Sequence, residues 1–570
     1  MSAPLDIVIR GGQVADGLGG PLYQADVAVR DGRIAEVGQV SATGTLELDA
    51  RGLLVTPGFV DVHTHYDGQA IWDSRFAPSS WHGVTTAVMG NCGVGFAPVR
   101  PGDTERLVEL MEGVEDIPGV ALHEGLDWAW ESFADYLDAL ERRPHDIDFA
   151  AQLPHAALRV YVMGGRATRL EMATPADVAQ MRRLTAQAVR AGALGVSTSR
   201  SINHRTSTGD PTPSLRAAED ELLGLALGLR DAGAGVLQII CDFEDDVEGE
   251  FALMRRLVEA SGRPLSFSLM QKHKNKQGWR RLLELTAQAN AAGLPMSAQV
   301  APRGVGVMLG LQGSRNVFSE CPGYLEIADL PLAERVAAMT RPETKRRLLA
   351  ELQEFRHTRL GERLVEFSNM FPFGDPPNYD PGRDSSVAAI AQRTGQPADE
   401  LAYQLMLADG GSGILYSPFA NYAEGNLDVC AEMLADPHTV VGLGDGGAHV
   451  ALVCDASFPT FLLAHWGLAR KAFDIGWLVK RQTADAARVV GLHDRGVLAP
   501  GMKADINLID LARLDIAAPR MVFDLPAGGR RLLQAASGYV ATIVSGQVTY
   551  REGEPTGALP GRLVRGQAAR

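Results

Sequence analysis

The sequence predicts an α/β fold: a (β/α)8 TIM-like barrel with a small β-sandwich-like domain built from both chain termini. Three observations predict it. Eight short apolar runs alternate with helical stretches through the centre of the chain, the pattern of parallel strands joined by crossover helices. The two ends of the chain share alternating, strand-type patterns of their own. Two histidines, His63 and His65, stand at the end of the first central run, and barrels of this class carry their chemistry at the C-terminal ends of strands.

In chain order, residues 1–57 form the N-terminal part of the β domain. Leu5–Val14 alternates and then turns, and Asp26–Gly38 reads as strand, Asp31-Gly32 turn and strand, a hairpin signal. Residues 58–495 form the barrel. Its candidate strands are Gly58–His63, Val84–Gly90, Ile147–Leu153, Ala193–Thr198, Gly235–Cys241, Pro264–Leu269, Pro295–Val300 and Val440–Asp445. The helix after the third is well signalled. Thr174 and Pro175 supply the cap and first turn, and Val178, Met181, Leu184 and Ala188 one apolar face. Two stretches exceed what a minimal barrel needs. One is 101–146, with Trp128 and Trp130. The other is 303–438, in which Leu332–Phe355 reads as helix. An insertion after the seventh strand falls over the barrel mouth, so 303–438 is expected to act as a lid. Residues 496–570 complete the β domain, with strand patterns at Ala504–Asp510 and Val540–Val548.

Composition narrows the functional classes. Of 570 residues, 46% are apolar and 22% charged, ordinary for a globular chain. Lys and Arg number 54 against 69 Asp and Glu, a net charge of −15. That opposes nucleic-acid binding, which needs a basic surface. No apolar run approaches the roughly 18–20 residues of a membrane span. The N-terminus lacks the basic-then-apolar pattern of a signal peptide. Five cysteines are too few for a disulfide framework and fit a reducing, cytoplasmic compartment.

The chemistry lies at strand ends. In Gly58-Phe-Val-Asp-Val-His63-Thr-His65, positions i and i+2 face one side, so both imidazoles can share one divalent ion, zinc or a related metal. Cys92, in Gly90-Asn-Cys-Gly93 at the end of the second strand, offers a thiolate as ligand or nucleophile. The neighbouring histidines favour the ligand role. Asp445, in Gly442-Leu-Gly-Asp-Gly-Gly-Ala-His449 at the end of the eighth strand, can bind metal and accept a proton from the attacking water. After the fourth strand, Arg200, His204 and Arg205 place positive charge at the mouth, a receptor for an anionic substrate group.

The paired histidines, the late Asp445, the split β domain and the tail Asp494–Asp505 together resemble the amidohydrolase superfamily. Asn91-Cys92-Gly93, with His155-Ala-Ala-Leu-Arg159 and Val162-Met-Gly164, resembles the N-acyl-D-amino-acid deacylase branch, including D-aminoacylase and deacylases of N-acyl-D-aspartate and N-acyl-D-glutamate. The resemblance implies that Cys92 replaces a carboxylated lysine. It also implies a histidine at the end of each of strands five and six. Here Ile240 and Leu269 occupy those positions, so one ion is expected, held by His63, His65, Cys92 and Asp445, with Cys241 and His273 in reserve.

The resulting expectation is a metal-dependent hydrolase of a linear amide C–N bond, deacylating an N-acyl (D-)amino acid. Asp445 carries the proton, His155 or His204 assists the oxyanion, and Arg200 or Arg205 holds the substrate carboxylate. Trp128, Trp130 and Tyr161 read as packing or as a pocket wall. Two rival readings are a hydrolase of another amide, lactam or cyclic imide, and a barrel that binds a ligand or partner without turnover. The partner is a small molecule, not nucleic acid or membrane. The acyl group and self-association into a homo-oligomer stay open.

Overall fold

The computed structural model describes residues 4–243, 246–358 and 365–566. At its centre are two parallel sheets. In the smaller one the first strand, Phe59–Asp61, pairs with Val84–Met89, which pairs with Asp148–Ala151. The third run breaks at Gln152 and resumes as Leu153–Pro154. From there the larger sheet runs through Gly195–Arg200, Val236–Cys241, Leu265–Ser268 and Met296–Val300 to Thr439–Val441, parallel throughout. The first and last strands approach each other beyond their ends: Thr64 forms a parallel bridge with Gly446. Every residue of Val84–Met89 is buried, as expected of a strand covered on both faces.

The helix Pro175–Ala191 begins as its sequence directs, with a Thr174–Asp177 capping box and proline in the first turn. It packs on Glu219–Ala232, which packs on Val247–Ser261. The stretch expected as one helix over Leu332–Phe355 is two, Leu332–Met339 and Pro342–Phe355. Pro342 disfavours helical geometry in the residue before it and lacks the N–H needed inside a helix.

Both termini meet in one nine-stranded sheet. Leu54–Pro57 lies between Leu5–Val14 and Ile506–Ile509. The expected hairpin forms from Tyr23–Arg30 and Arg33–Gly38 around Asp31 and Gly32, both at positive φ. The segment after the seventh strand builds its own antiparallel sheet from Val305–Gly310, Ile414–Ala420 and Phe371–Phe373. Its core includes Leu309, Phe318, Tyr403 and Met406. It rests on the loop that follows Asp445: Met308 N donates to Leu452 O at 2.7 Å. Among the described residues no helix is long and apolar enough to cross a membrane.

Candidate metal centre

The first strand ends in buried backbone that aims two imidazoles one way. Thr64, between them, is tied outward: its N–H and hydroxyl both donate to Val88 O, at 3.0 and 2.9 Å. His63 N–H donates to Asp61 Oδ1 at 3.1 Å. The second strand ends in a turn with Cys92 at φ 55°, a left-handed conformation that costs energy in a residue with a Cβ. Neighbouring strands hold it there. Cys92 N–H donates to Gln238 Oε1 at 3.0 Å, and Gly93 N–H to Ser197 Oγ at 2.9 Å. Asn91 stitches strands together: its amide donates to Thr64 O and Val88 O and accepts from Gln152. Gly90 has to be glycine, since a Cβ there would lie 2.3 Å from Gln152 O.

Asp445 is also held at positive φ, 45°, and its N–H donates to His63 O at 3.0 Å. The flanking Gly444 lets Asp61 approach: a Cβ would lie 2.3 Å from Asp61 Oδ2. His449, four residues on, is left-handed too. Strained backbone at Cys92, Asp445 and His449, all converging on one point, is the kind that persists at functional sites.

The donor set fits a divalent ion. Ligand atoms of His63, His65 and Cys92 lie within 4.8 Å of one another. Cys92 Sγ is 3.3 Å from His63 Nε2. Asp445 Oδ1 is 3.4 Å from His63 Nε2 and 3.8 Å from His65 Nε2. Bond lengths of about 2.0–2.3 Å to tetrahedral zinc put neighbouring ligand atoms about 3.3–3.8 Å apart; His63 with Cys92 and Asp445 with each histidine match that spacing, while Asp445 stands outside the three residues whose ligand atoms all lie within 4.8 Å of one another. Buried polar atoms without hydrogen-bond partners gather at the same place: Asp61 Oδ2, His65 Nδ1 and Glu115 Oε1.

Residues the sequence reading did not single out support this centre. Gln299, on the seventh strand, places Oε1 2.6 Å from His63 Nδ1, and its amide donates to Ser266 Oγ at 3.0 Å. With Nδ1–H donated there, the Nε2 lone pair faces Cys92 and Asp445. Glu115 arrives from the segment after the second strand. It is 1% exposed and lies 3.2 Å from His65 Nδ1 and 3.7 Å from His449 Nε2. Burial, together with His63, His449 and His204, pushes the His65 pKa well down and keeps it neutral. Burial, then Glu115 and Asp445, pushes the Cys92 thiol well up. Burial, with Asp445 nearby, pushes Asp61 up to about 7.

The structure separates the other expected site residues. His204 is brought near: its imidazole, held down to about 4 by burial and by His449, also feels His63, and its Nδ1 is 2.9 Å from Ser199 Oγ. His155 corrects the expectation of a substrate contact. It is fully buried, with Nδ1 on Thr198 Oγ1 at 2.8 Å and Nε2 on Glu221 Oε1 at 2.9 Å, so both ring nitrogens are occupied. Arg200 is likewise committed, forming a bidentate pair with Glu250 at 2.6 and 2.7 Å. Arg205 is exposed and donates to Gly209 O at 2.9 Å. Trp128 and Trp130 pack on each other, and the Trp130 indole donates to Phe96 O.

At the ends of strands five and six the alternation is decisive. Gln238 reaches Cys92, so Ile240 shares its inward face. Ser266 reaches Gln299, so Ser268 is the inward residue of its strand and Leu269 alternates away, a correction of one residue. Neither Ile240 nor Ser268 is a good zinc ligand. Cys241 lies beside Arg200 and Glu250, and His273 among Lys276, Arg383, Glu366 and Glu424, so neither reserve joins His63.

The chain is 27% identical to D-aminoacylase of Alcaligenes xylosoxydans xylosoxydans, covering 100% of this chain and 99% of that one. It is 28% identical to the N-acyl-D-aspartate deacylase of the same organism, over 99% and 95%. Its fold matches a structure of N-acyl-D-glutamate deacylase from Bordetella bronchiseptica, complexed with zinc and a phosphonate inhibitor. The TM-score is 0.65 and the identity 24%, covering 99% of this chain and 100% of that one. Residues 46–550 match the amidohydrolase family, and the chain belongs to that family.

Proposed function

We propose that the protein hydrolyses the amide bond of an N-acyl amino acid, of the D series as in the named relatives, using one divalent ion, zinc, held by His63, His65, Cys92 and Asp445. The observation that carries this reading is the cluster of His63, His65 and Cys92, whose ligand atoms lie within 4.8 Å of one another, with Asp445 Oδ1 at 3.4 and 3.8 Å from the two histidines. We read the two parallel sheets as one eight-stranded barrel over residues 58–495, with residues 1–57 and 496–570 as its β domain and 303–438 as a lid. The five cysteines are all unpaired, which supports a cytoplasmic setting.

A divalent ion at this centre polarises a carbonyl and lowers the pKa of water. The chain's own residues do the rest. Asp445, with its side chain 18% exposed, is the carboxylate open to the mouth. It accepts a proton from the attacking water and passes it to the departing amine. Asp61 and Gln299 fix His63. Gln238 and Ser197 fix the Cys92 turn. His204, at the mouth, donates toward the developing oxyanion. With Arg200 bound to Glu250, the exposed Arg205 takes the role of cation for a substrate carboxylate.

The test is hydrolysis by the zinc-loaded protein of a panel of N-acetyl-D-amino acids, their L forms, and cyclic imides such as dihydropyrimidines. Release of free D-amino acid supports the reading. Turnover of cyclic imides alone would replace it with the rival amidohydrolase reading. Stoichiometric zinc with no turnover of any substrate would favour a barrel that only binds.

A further inference from the structure

Glu115 is the last residue of the helix Thr104–Glu115, in a stretch a minimal barrel does not need. Its carboxylate is nevertheless among the most deeply buried acids near the centre, with 2% of its side chain exposed. Three contacts converge on it. Oε1 lies 3.2 Å from His65 Nδ1. Neither atom is aligned with any hydrogen-bond partner, so two buried, unsatisfied groups face each other. Oε2 lies 3.7 Å from His449 Nε2, and the backbone carbonyl of Glu115 accepts from His449 N–H. Leaving such a pair unmade costs more than making it contributes.

We infer that Glu115 is a positioning residue. It takes the Nδ1–H of His65, so that the Nε2 lone pair on the side of Asp445 stays available to a cation, and it holds His449 at the mouth. His65 is then matched to His63, whose Nδ1 is taken by Gln299. Each ligand histidine is locked by a residue from a different part of the chain. The helix that carries Glu115 is itself clamped from outside. Gly113 lets the loop after strand four lie against it, since a Cβ there would lie 2.3 Å from Arg205 O. Ser207 N–H donates to Glu109 O at 2.9 Å. The next residue, Asp116, accepts from Ser314 of the 303–438 segment at 2.7 Å. Glu115 therefore couples the metal centre to both segments that surround the mouth.

This inference rests on the metal reading above. The experiment compares the unaltered full-length chain with Glu115→Ala and Glu115→Gln. It measures zinc affinity by chelator competition, the visible spectrum of the cobalt-substituted protein, and the melting temperature without metal. Loss of a carboxylate behind a ligand histidine typically costs about 10–100-fold in metal affinity. The expected result is a loss of that size in Glu115→Ala, a smaller loss in Glu115→Gln, and a changed cobalt spectrum in both, with the metal-free melting temperature of Glu115→Gln unchanged or raised. Unaltered zinc affinity and cobalt spectrum in a folded Glu115→Gln would overturn the positioning role. A lowered melting temperature with unchanged zinc affinity in either variant would make Glu115 a packing residue only. If the unaltered protein itself bound no zinc, the metal reading would fall and this inference with it.

Discussion

Gln299 Oε1 lies 2.6 Å from His63 Nδ1, across 236 residues of sequence. A side-chain amide on a buried strand is costly unless its groups are used. Here the oxygen fixes a tautomer and the amide nitrogen is met by Ser266. Gln299→Leu keeps the volume and removes the acceptor. It should weaken zinc binding by about 10–100-fold while leaving the fold intact by circular dichroism. Zinc affinity equal to the unaltered protein's would mean that His63 needs no such partner.

Cys92 should act as a ligand and not as a nucleophile. Cys92→Ser and Cys92→Ala should both lose zinc and activity together, with excess zinc restoring only part of the activity, more in the Ser variant. No acyl adduct should be detectable at Cys92 by mass spectrometry during turnover. A metal-replete, inactive Cys92→Ala would point to covalent catalysis.

Asp445→Asn keeps an oxygen that can face His63 and His65 but cannot accept a proton near neutral pH. General acid–base help is worth about 10²–10⁴-fold. Most of the zinc should remain, and kcat should fall at least about a hundred-fold. A variant within about tenfold of the normal rate would move the proton-accepting role to His204 or His449.

Arg200 and Arg205 should separate in a kinetic assay. Arg200 is bound to Glu250, so Arg200→Ala should lower the melting temperature and leave KM for a carboxylate substrate within about twofold. Arg205→Ala should raise that KM by about ten- to a hundred-fold, the cost of a lost charge-assisted hydrogen bond, and spare an uncharged amide analogue. Equal effects on both substrates would leave the strand-four loop without a role in recognition.

Glu221 accepts from both His155 and Arg159, and neither arginine nor acid is exposed by more than 1%. Burial opposes its ionisation, but His155 and Arg159 outweigh it and hold its pKa below the ordinary 4.5. A carboxyl depressed in the folded state stabilises above its unfolded pKa, and that stability is lost as pH falls through the folded one. Acid unfolding below pH 4.5 should therefore carry a contribution from Glu221. Glu221→Ala should cost about 3–5 kcal/mol at neutral pH, because it leaves the buried Arg159 charge with backbone carbonyls but no carboxylate. Denaturant midpoints across pH check both, and a flat profile shared with Glu221→Ala would refute the first.

Much of the architecture was legible because local rules were strong. Alternation marked the terminal strands, and Thr174-Pro175 marked a helix start. The His-x-His step at a strand end placed two imidazoles on one side, and Cys92 and Asp445 stood at strand ends of their own. What escaped were residues whose significance exists only across the sheet. Gln238 and Gln299 are polar residues on the inward faces of buried strands. That was a visible signal, since a buried parallel strand usually has no use for an amide. Glu115 gave no local sign, as an acid at a helix end is ordinary. Arg200 and His155 misled for the same reason: their partners, Glu250 and Glu221, lie 50 and 66 residues away. Leu269 missed by one residue because strand phase, not position, decides which side chain faces inward.

The strand Leu54–Pro57 leads directly into the one that ends at His63 and His65, and its far side is covered by Ile506–Ile509. Gly58 N–H is itself bound by Asp505 O at 2.8 Å. On the ribosome, then, the histidines emerge early, but the last backbone that braces their strand emerges only after about nine-tenths of the chain has been made. A nascent chain halted before that point has the pairing with Val84–Met89 but lacks the outer brace at Gly58 and Leu54–Pro57. The end of the chain thereby completes the support of a strand laid down near its beginning, and a chain cut short of Asp505 forgoes that support.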